Sequence, residues 1–296
     1  MPAQTITIKS ILLKAQAQLQ KARIPNSGLD ARTLLGFVSS YTPEQLLLHH
    51  NHAVTKTITK KFFALIKRRI NKEPIAHLIG KKEFYSFEFA VNKHVLIPRP
   101  DTETLVDVAL KHFKKNVDSI SILDLGTGSG CLILTLLKLV PNSKGVAVDI
   151  SKSALKIART NAKNLGLQSQ VKFINKSWTA LKLRKKFDLI VSNPPYISQK
   201  DFNKLMKDVR CFEPQTALKA GKDGLDCYRQ ILPLIKKYLK PQGICLLECG
   251  KGQHKAIAKL AAQFGLSVSD YKADLNGIPR CVIISAIKHE MHTVRF

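Results

Sequence analysis

The sequence of 296 residues is poor in acidic residues and in aromatic residues, and it lacks long apolar runs. No apolar run approaches the roughly 18 residues that a membrane span needs, so a spanning helix is not expected. Residues 1–10 show no charged segment followed by an apolar stretch, and we therefore expect no secretory signal. The hydrophobic fraction of 45% is ordinary for a globular protein and excludes general disorder.

The cysteine and histidine patterns also argue against a disulfide framework and against a metal site. The six cysteines include no C-x-x-C pair, which excludes the common zinc spacings and gives no sign of a disulfide framework. A reduced, cytoplasmic protein is the natural expectation. His49, His50 and His52 form a cluster with no carboxylate or cysteine beside it, so we expect no metal.

Acidic residues are scarce relative to basic ones. The chain has 21 Asp and Glu against 48 Lys and Arg, which gives a formal net charge of +27. Such a charge first suggests a polyanionic partner such as nucleic acid. The lysines are scattered along the chain, however, and this favours compositional bias. Both interpretations stay open from the charge alone.

Hydrophobic periodicity divides the chain into three parts. Apolar residues repeat at helical spacing over residues 1–80, which predicts a small helical domain. The period changes to two within residues 81–100, which predicts a linker hairpin. Strand-like and helix-like segments alternate after Ser119, so residues 101–296 are predicted to form an α/β domain with a mostly parallel sheet.

A glycine-rich loop follows the first predicted strand of the α/β domain, in the order Asp124, Leu125, Gly126, Thr127, Gly128, Ser129, Gly130. Glycines there let a ligand approach the backbone, and the next helix offers free N–H groups. Asp149 ends the second strand, where a carboxylate can accept ribose hydroxyls.

The glycine loop differs from two common nucleotide-binding motifs. Its spacing is G-x-G-x-G, which is neither the dinucleotide fingerprint nor a P-loop. Asp124 would repel a pyrophosphate, but it would attract the α-ammonium group of an amino acid. A ligand with a ribose, an amino-acid group and no phosphate is S-adenosylmethionine, which is the cofactor that we predict.

A second loop, Asn193-Pro194-Pro195-Tyr196, follows the fourth predicted strand. Parallel strands end at the same edge of a sheet, so we expect this loop beside the glycine loop. The amide oxygen of Asn193 and the carbonyl of Pro194 form a pair of acceptors that fits the two donors of a substrate NH₂ group. Tyr196 is predicted to pack over a flat substrate group.

Together these segments resemble methyltransferases that act on planar NH₂ nitrogens. Three further segments resemble the HemK/PrmC family in particular: residues 73–80, 95–107 and 209–218, with the stretch from Gly221 to Tyr228 after them. The resemblance covers nearly the whole chain, including the helical residues 1–80. It implies a class I S-adenosylmethionine-dependent methyltransferase with a Rossmann-like, mostly parallel seven-stranded sheet.

The resemblance also implies an activity and a site. Family members methylate the glutamine amide of the Gly-Gly-Gln motif in peptide chain release factors, which acts on translation termination. Residues 1–80 would help to dock that protein, and we expect a monomer. Arg99, Pro100 and Glu103 are expected to line the same cleft. The implied cofactor site is Gly126, Thr127, Gly128, Ser129, Gly130, Asp149, Trp178 and Asn193. The implied catalytic residues are Asn193, Pro194 and Tyr196, and the implied substrate-binding residues are these three with Pro195.

These residues are compatible to different degrees with three functions. Methyl transfer to a release factor explains the segments best. An adenine methyltransferase acting on RNA or DNA would share the catalytic loop and use the charge of +27. A non-catalytic RNA-binding or ribosome-associated protein is disfavoured because both loops and Asp149 are intact. The role of Glu248, at the end of the fifth predicted strand, is left open between structure and the edge of the cleft.

Overall fold

The computed structural model describes residues 6–113 and 119–285. The described residues fall into two compact units, one of residues 6–81 with 206–212 and one of the remainder. The domain bounds predicted at residues 80 and 100 stay predictions. The helices α1–α12 are Ile8–Lys21, Ser27–Ser39, Pro43–Leu48, Lys56–Ile70, Ile75–Ile79, Glu103–Phe113, Cys131–Leu139, Lys152–Asn164, Gln199–Phe202, Lys207–Phe212, Asp226–Tyr238 and His254–Gln263.

The strands of the described residues belong to two sheets, a hairpin of two strands and a larger sheet of seven. Strands β1–β9 are Lys81–Phe84, Phe87–Ala90, Ser121–Leu125, Lys144–Asp149, Val171–Asn175, Phe187–Ser192, Leu239–Glu248, Ser267–Ala273 and Pro279–Ser285. Short 3₁₀ turns occur at Pro100–Thr102 and Gln215–Ala217. Within the described ranges, no helix is both long enough and apolar enough to cross a membrane.

The first unit is a helical bundle, as its apolar periodicity predicts. Its core is mostly aliphatic, with Phe62 as a buried aromatic member, and comes mainly from α1, α2 and α4, whose apolar residues repeat at helical spacing. Threonine side chains cap the starts of α1, α3 and α4, and a proline occupies the first position of α3. Arg69 forms a buried ion pair with Asp30 at 2.8 Å.

The predicted hairpin is present as β1 and β2. Tyr85 and Ser86 connect the strands with φ of 51° and 63°, the left-handed conformation of a two-residue hairpin turn. Phe84 and Phe89 are buried in the core that covers one face of the large sheet. The side chain of Asn161 bonds both the N–H and the carbonyl of Ala90, which fixes the hairpin against α8.

The large sheet has the order β5-β4-β3-β6-β7-β9-β8. All neighbours are parallel except β9, which is antiparallel to both β7 and β8. Alternate residues of the central strands enter the cores on opposite faces, which explains why these strands are almost continuously apolar. The expected seven-stranded, mostly parallel α/β fold is confirmed.

This strand order determines where a ligand can bind. The chain runs outward from β3 through β4 to β5 and then returns to β6 on the other side of β3. Such a reversal opens a crevice at the carboxyl ends of the strands. The loops after β3, β4, β6 and β7 therefore meet at one edge of the sheet.

Candidate active site

The glycine loop after β3 depends on backbone conformations that favour glycine. Gly126, Gly128 and Gly130 have φ of 82°, 57° and 81°. A Cβ atom at Gly130 would lie 3.0 Å from Leu134 Cδ1 and 3.2 Å from Ala158 Cβ, whereas a Cβ at Gly128 would meet open space. Gly130 therefore serves helix packing, and Gly128 leaves its backbone open to a ligand.

Asp149 at the end of β4 is tied to this loop. Its Oδ2 accepts the N–H of Gly128 at 2.8 Å, and its Oδ1 accepts the N–H of Ser151 at 2.8 Å. Burial raises the pKa of Asp149, while these backbone bonds act in the opposite direction. Each carboxylate oxygen retains a lone pair, so the group can still accept a hydroxyl from a ligand.

Asp124, the last but one residue of β3, is a buried carboxyl group with one unpaired oxygen. Thr127 donates its hydroxyl to Asp124 Oδ2 at 2.6 Å, whereas Oδ1 is buried and has no hydrogen-bond partner among the residues that the structure describes. Burial raises the pKa of Asp124 to about 7, although the bond from Thr127 lowers it. A buried acceptor without a donor is costly, so this oxygen is suited to a cationic or N–H donor on a ligand.

A cavity of about 400 Å³ opens at this edge of the sheet, within the size range of small-molecule sites. The structure brings most of the predicted cofactor residues to its wall. Gly130 is the exception, because it packs against α7 and α8. The predicted residues that line the cavity are Gly126, Thr127, Gly128, Ser129, Asp149, Trp178, Asn193, Pro195 and Arg99.

Trp178 follows β5 and lies against the glycine loop. A Cβ at Gly126 would meet its Cζ2 at 3.3 Å, so the indole and the loop backbone are in close packing. Ile150, directly after Asp149, lines the same cavity and is 68% exposed. An apolar side chain this exposed beside a cavity is suited to contact a flat apolar ligand group. Its only sequence signal is its position next to Asp149.

The loop after β6 places Asn193 at the cavity, where its amide nitrogen is engaged by another residue of the wall. Asn193 Nδ2 donates to Thr102 Oγ1 at 3.0 Å. Within residues 6–113 and 119–285, neither Asn193 Oδ1 nor the carbonyl of Pro194 accepts a hydrogen bond. The two acceptors proposed for a substrate NH₂ group are therefore unengaged.

Two other residues of this loop have a less direct position. Pro194 is buried, and neither it nor Tyr196 belongs to the cavity wall. The hydroxyl of Tyr196 donates to Glu248 Oε1 at 3.3 Å, and its ring packs against the core of the sheet. The predicted stacking of Tyr196 on a substrate therefore stays a prediction.

Residues before and after the catalytic loop close one side of the cavity. Arg99 lines it and donates to Glu213 Oε1 at 2.5 Å, while Glu213 Oε2 accepts the N–H of Ile97 at 3.0 Å. Pro100 and Glu103 do not line it, contrary to expectation. Glu103 Oε1 instead accepts the N–H of Tyr85 and holds the hairpin, because the first turn of α6 faces β1 and β2.

Sequence reasoning missed Thr102 as a site residue and left Glu248 undecided. Thr102 is only 2% exposed and lines the cavity wall. Its hydroxyl also donates to Glu248 Oε2 at 2.5 Å. The segment 95–107 carries the family resemblance, and this was the signal that could have drawn attention to Thr102.

Known protein families match both the helical part and the α/β part of the chain. Residues 116–293 match the family described as "Methyltransferase domain", and residues 10–80 match "PrmC N-terminal domain". A protein of Bradyrhizobium diazoefficiens named release factor glutamine methyltransferase is 40% identical over 93% of this chain and 94% of its own length. The protein of that name from Caulobacter vibrioides is 36% identical over 94% and 96%.

Some relatives are considerably longer than this chain. A bifunctional methyltransferase of Rickettsia felis is 39% identical over 95% of the chain, but the chain spans only 58% of that protein. Among solved structures, a methyltransferase from Pyrococcus furiosus aligns with a TM-score of 0.51 at 20% identity, over 74% of this chain and 97% of its own. That likeness concerns the fold alone. On the full-length relatives and both family matches, the chain belongs to the HemK/PrmC methyltransferase family.

Proposed function

We propose that the protein transfers a methyl group from S-adenosylmethionine to the side-chain amide nitrogen of the glutamine in the Gly-Gly-Gln motif of peptide chain release factors. Methylation at that motif would modulate translation termination. One observation carries the proposal: the glycine loop and the open acceptor Asn193 Oδ1 line the same cavity. Full-length relatives that carry the name release factor glutamine methyltransferase support the choice of substrate.

The residues present fit S-adenosylmethionine. The unpaired Asp124 Oδ1 suits its α-ammonium group, and Asp149 suits its ribose hydroxyls. Gly128 offers open backbone, and Trp178 with Ile150 offers apolar surface for the adenine. When bound, this cofactor supplies an activated methyl group that is ready for displacement.

The chain would contribute mainly by positioning. Asn193 Oδ1 and the Pro194 carbonyl would each accept one N–H of the glutamine amide, which fixes the nitrogen and aims its lone pair. These acceptors also offset the positive charge that develops on nitrogen as the new N–C bond forms. The nitrogen then loses one proton to solvent, and no covalent enzyme intermediate is needed.

Incorporation of labelled methyl groups tests this proposal. The protein is incubated with radiolabelled S-adenosylmethionine and a release factor, the same factor with the glutamine of Gly-Gly-Gln changed to alanine, or bulk RNA. We expect label on the intact factor and none on the other two. Label on RNA with none on the factor would instead favour an adenine methyltransferase, which would share the catalytic loop and use the net charge of +27.

We also propose that the helical unit helps to dock the release factor. Exposed lysines on α4, including Lys60, Lys61 and Lys67, give this unit a basic surface suited to an acidic patch on a protein. Replacing Lys60 and Lys61 by glutamate should raise KM for the intact factor and leave KM for a short Gly-Gly-Gln peptide unchanged. An unchanged KM for the factor would contradict this role.

A further inference from the structure

The carboxylate of Glu248, at the end of β7, accepts two hydroxyl hydrogen bonds behind the catalytic loop. Thr102 donates to Oε2 at 2.5 Å, and Tyr196 donates to Oε1 at 3.3 Å. Glu248 is only 1% exposed, so water cannot replace these donors. An ionised carboxylate has lone pairs and no proton to give, so both neighbours must act as donors toward it.

The hydrogen bond from Thr102 to Glu248 determines which atom of Asn193 can bond to Thr102. Because Thr102 commits its single proton to Glu248, its oxygen can offer only a lone pair to the next residue. Asn193 must therefore present its NH₂ group to Thr102, as observed at 3.0 Å. The carboxamide is planar, so its oxygen points away from Thr102 and stays available as an acceptor for a ligand in the cavity, whose wall includes both Asn193 and Thr102.

We propose that Glu248 and Thr102 are positioning residues that hold the Asn193 carboxamide with its oxygen toward the substrate. The inference rests on the proposed function, in which Asn193 Oδ1 accepts an N–H of the glutamine amide. A carboxamide rotated by half a turn would set its own NH₂ group against the NH₂ group of the substrate. Donor would then face donor, and the substrate nitrogen would lose one of its two acceptors.

The surroundings of Glu248 permit an ionised group above about pH 7. Burial raises the pKa of Glu248 to about 7, the bonds from Thr102 and Tyr196 lower it, and the charge of Arg280 lowers it further while that of Asp101 raises it. Arg280 itself is held by Asp101 at 2.9 Å and by Asp274 at 3.0 Å. At pH 8 the carboxylate is therefore the acceptor that this arrangement requires.

Two changes at Thr102, one that removes the hydroxyl and one that removes the methyl group, separate positioning from packing. Thr102→Val removes the hydroxyl and keeps the volume, whereas Thr102→Ser keeps the hydroxyl. At pH 8, with a release factor as substrate, we expect Thr102→Val to lower kcat by about 10- to 100-fold. Thr102→Ser should stay within about threefold of the wild type, and both should bind S-adenosylmethionine normally. Wild-type kcat in the valine variant would overturn the proposal.

A double-mutant cycle tests whether Thr102 acts through Asn193. Once Asn193 is alanine, Thr102 has no carboxamide to orient, so Thr102→Val with Asn193→Ala should be no slower than Asn193→Ala alone. Losses that multiply independently would overturn the proposal. Should the valine variant fail to fold, judged by thermal unfolding, Glu248→Gln replaces it, because a glutamine NH₂ facing Thr102 permits the reversed carboxamide.

A measurement that needs no turnover keeps this inference separate from the proposed function. The side-chain NH₂ resonances of Asn193 are identified by NMR as the pair that disappears in Asn193→Ala. We expect them to shift in Thr102→Val and Glu248→Gln and to stay in place in Thr102→Ser. Unmoved resonances in Thr102→Val would overturn the inference even in an active enzyme. A wild type that methylates no release factor would overturn the proposed function, and the resonances would still test the hydrogen bonding.

Discussion

The Asp149 carboxylate holds the glycine loop open by accepting the N–H of Gly128 at 2.8 Å. The bond joins the end of β4 to the loop after β3, the two places where the sequence predicts cofactor contacts. One side chain thus shapes the loop and keeps a lone pair for a ligand. Changes at Asp149 should therefore reduce cofactor binding both through the lost ligand contact and through the shape of the loop.

Asp149→Asn should weaken S-adenosylmethionine binding by about 10- to 100-fold, as expected for the loss of a charged hydrogen-bond acceptor. An asparagine cannot accept from both Gly128 and Ser151, because one of its two terminal atoms is a donor. Isothermal titration calorimetry measures the effect. Asp188→Asn is the matched control, since Asp188 accepts from Ser121 at the opposite end of β3. Equal losses in both variants would contradict a specific role for Asp149.

Gly130→Ala should destabilise the fold by about 1–3 kcal/mol, because it combines a left-handed backbone with a crowded Cβ position. The new Cβ would lie 3.0 Å from Leu134 Cδ1. Gly166→Ala is the control for backbone conformation alone, since its φ is 72° and nothing lies within 4 Å of its Cβ position. Urea unfolding measures whether Gly130→Ala loses more stability than Gly166→Ala. An equal loss in the free energy of unfolding would exclude a role for crowding.

The parts of the site that lie next to strand ends are predictable from the sequence, whereas contacts between residues distant in sequence are not. The glycine loop, Asp149 and the Asn193 loop each lie within a few residues of a strand end, so their positions follow from the alternation of strands and helices. Thr102 lies 91 residues before Asn193 and 146 before Glu248. No sequence period connects these three residues, and only the folded chain brings them together.

The segment between β6 and α11 was predicted least well. Helices α9 and α10 have four and six residues, too short to show a helical period. The bonds of Glu213 to Arg99 and to the Ile97 N–H, which close the cavity, likewise join segments more than a hundred residues apart. The family resemblance of residues 95–107 implies a place for Glu103 at the cleft, but the turn of α6 directs it to the hairpin.

The affinity for S-adenosylmethionine should fall as the pH falls below about 7. Burial raises the pKa of Asp124 from 3.8 to about 7, so the carboxyl group becomes neutral below that pH. A neutral group attracts the α-ammonium of the ligand less strongly, and the ligand in turn favours the ionised form. Titrations at pH 6 and pH 8 measure this change, which should disappear in Asp124→Asn. An Asp124→Asn variant with the wild-type pH dependence would contradict the assignment.

The same pKa has a consequence for stability without ligand. The pKa of Asp124 is raised on folding, so its contribution to stability is fully present below about pH 4 and is lost as the pH rises through about 7. Asp124→Asn removes this loss. The free energy of unfolding of the variant, relative to the wild type, should therefore increase between pH 5 and pH 8. A difference that does not change with pH would contradict the raised pKa.

Asn193→Ala should nearly abolish methyl transfer and leave cofactor binding partly intact. The change removes the acceptor Oδ1 while the glycine loop and Asp149 keep their contacts. Loss of one preorganised polar group in a reaction centre lowers kcat by about 100- to 1,000-fold. Single-turnover kinetics with saturating S-adenosylmethionine isolate the transfer step. Near-normal turnover in this variant would show that the proposed pair of acceptors is wrong.

Gln253 should affect turnover because it connects three backbone segments around the catalytic loop. Its Nε2 donates to the Tyr196 carbonyl at 2.9 Å and to the Gly224 carbonyl at 3.3 Å, and its Oε1 accepts the Gly250 N–H at 3.0 Å. The loop is also crowded here, since a Cβ at Gly224 would lie 2.5 Å from the Tyr196 carbonyl oxygen. Few other groups could replace the amide in so narrow a space.

Gln253→Ala should therefore lower kcat by about tenfold or more through misplacement of the catalytic loop. Its affinity for S-adenosylmethionine should change little, because Gln253 does not line the cavity. Gln263→Ala provides a control from the exposed last residue of α12, the helix that begins directly after Gln253, where no such contacts occur among the described residues. If Gln253→Ala lowers both cofactor affinity and kcat, the hydrogen bonds of Gln253 stabilise the whole site rather than the catalytic loop alone. If only kcat falls, the amide acts on the loop that holds Asn193 and Tyr196.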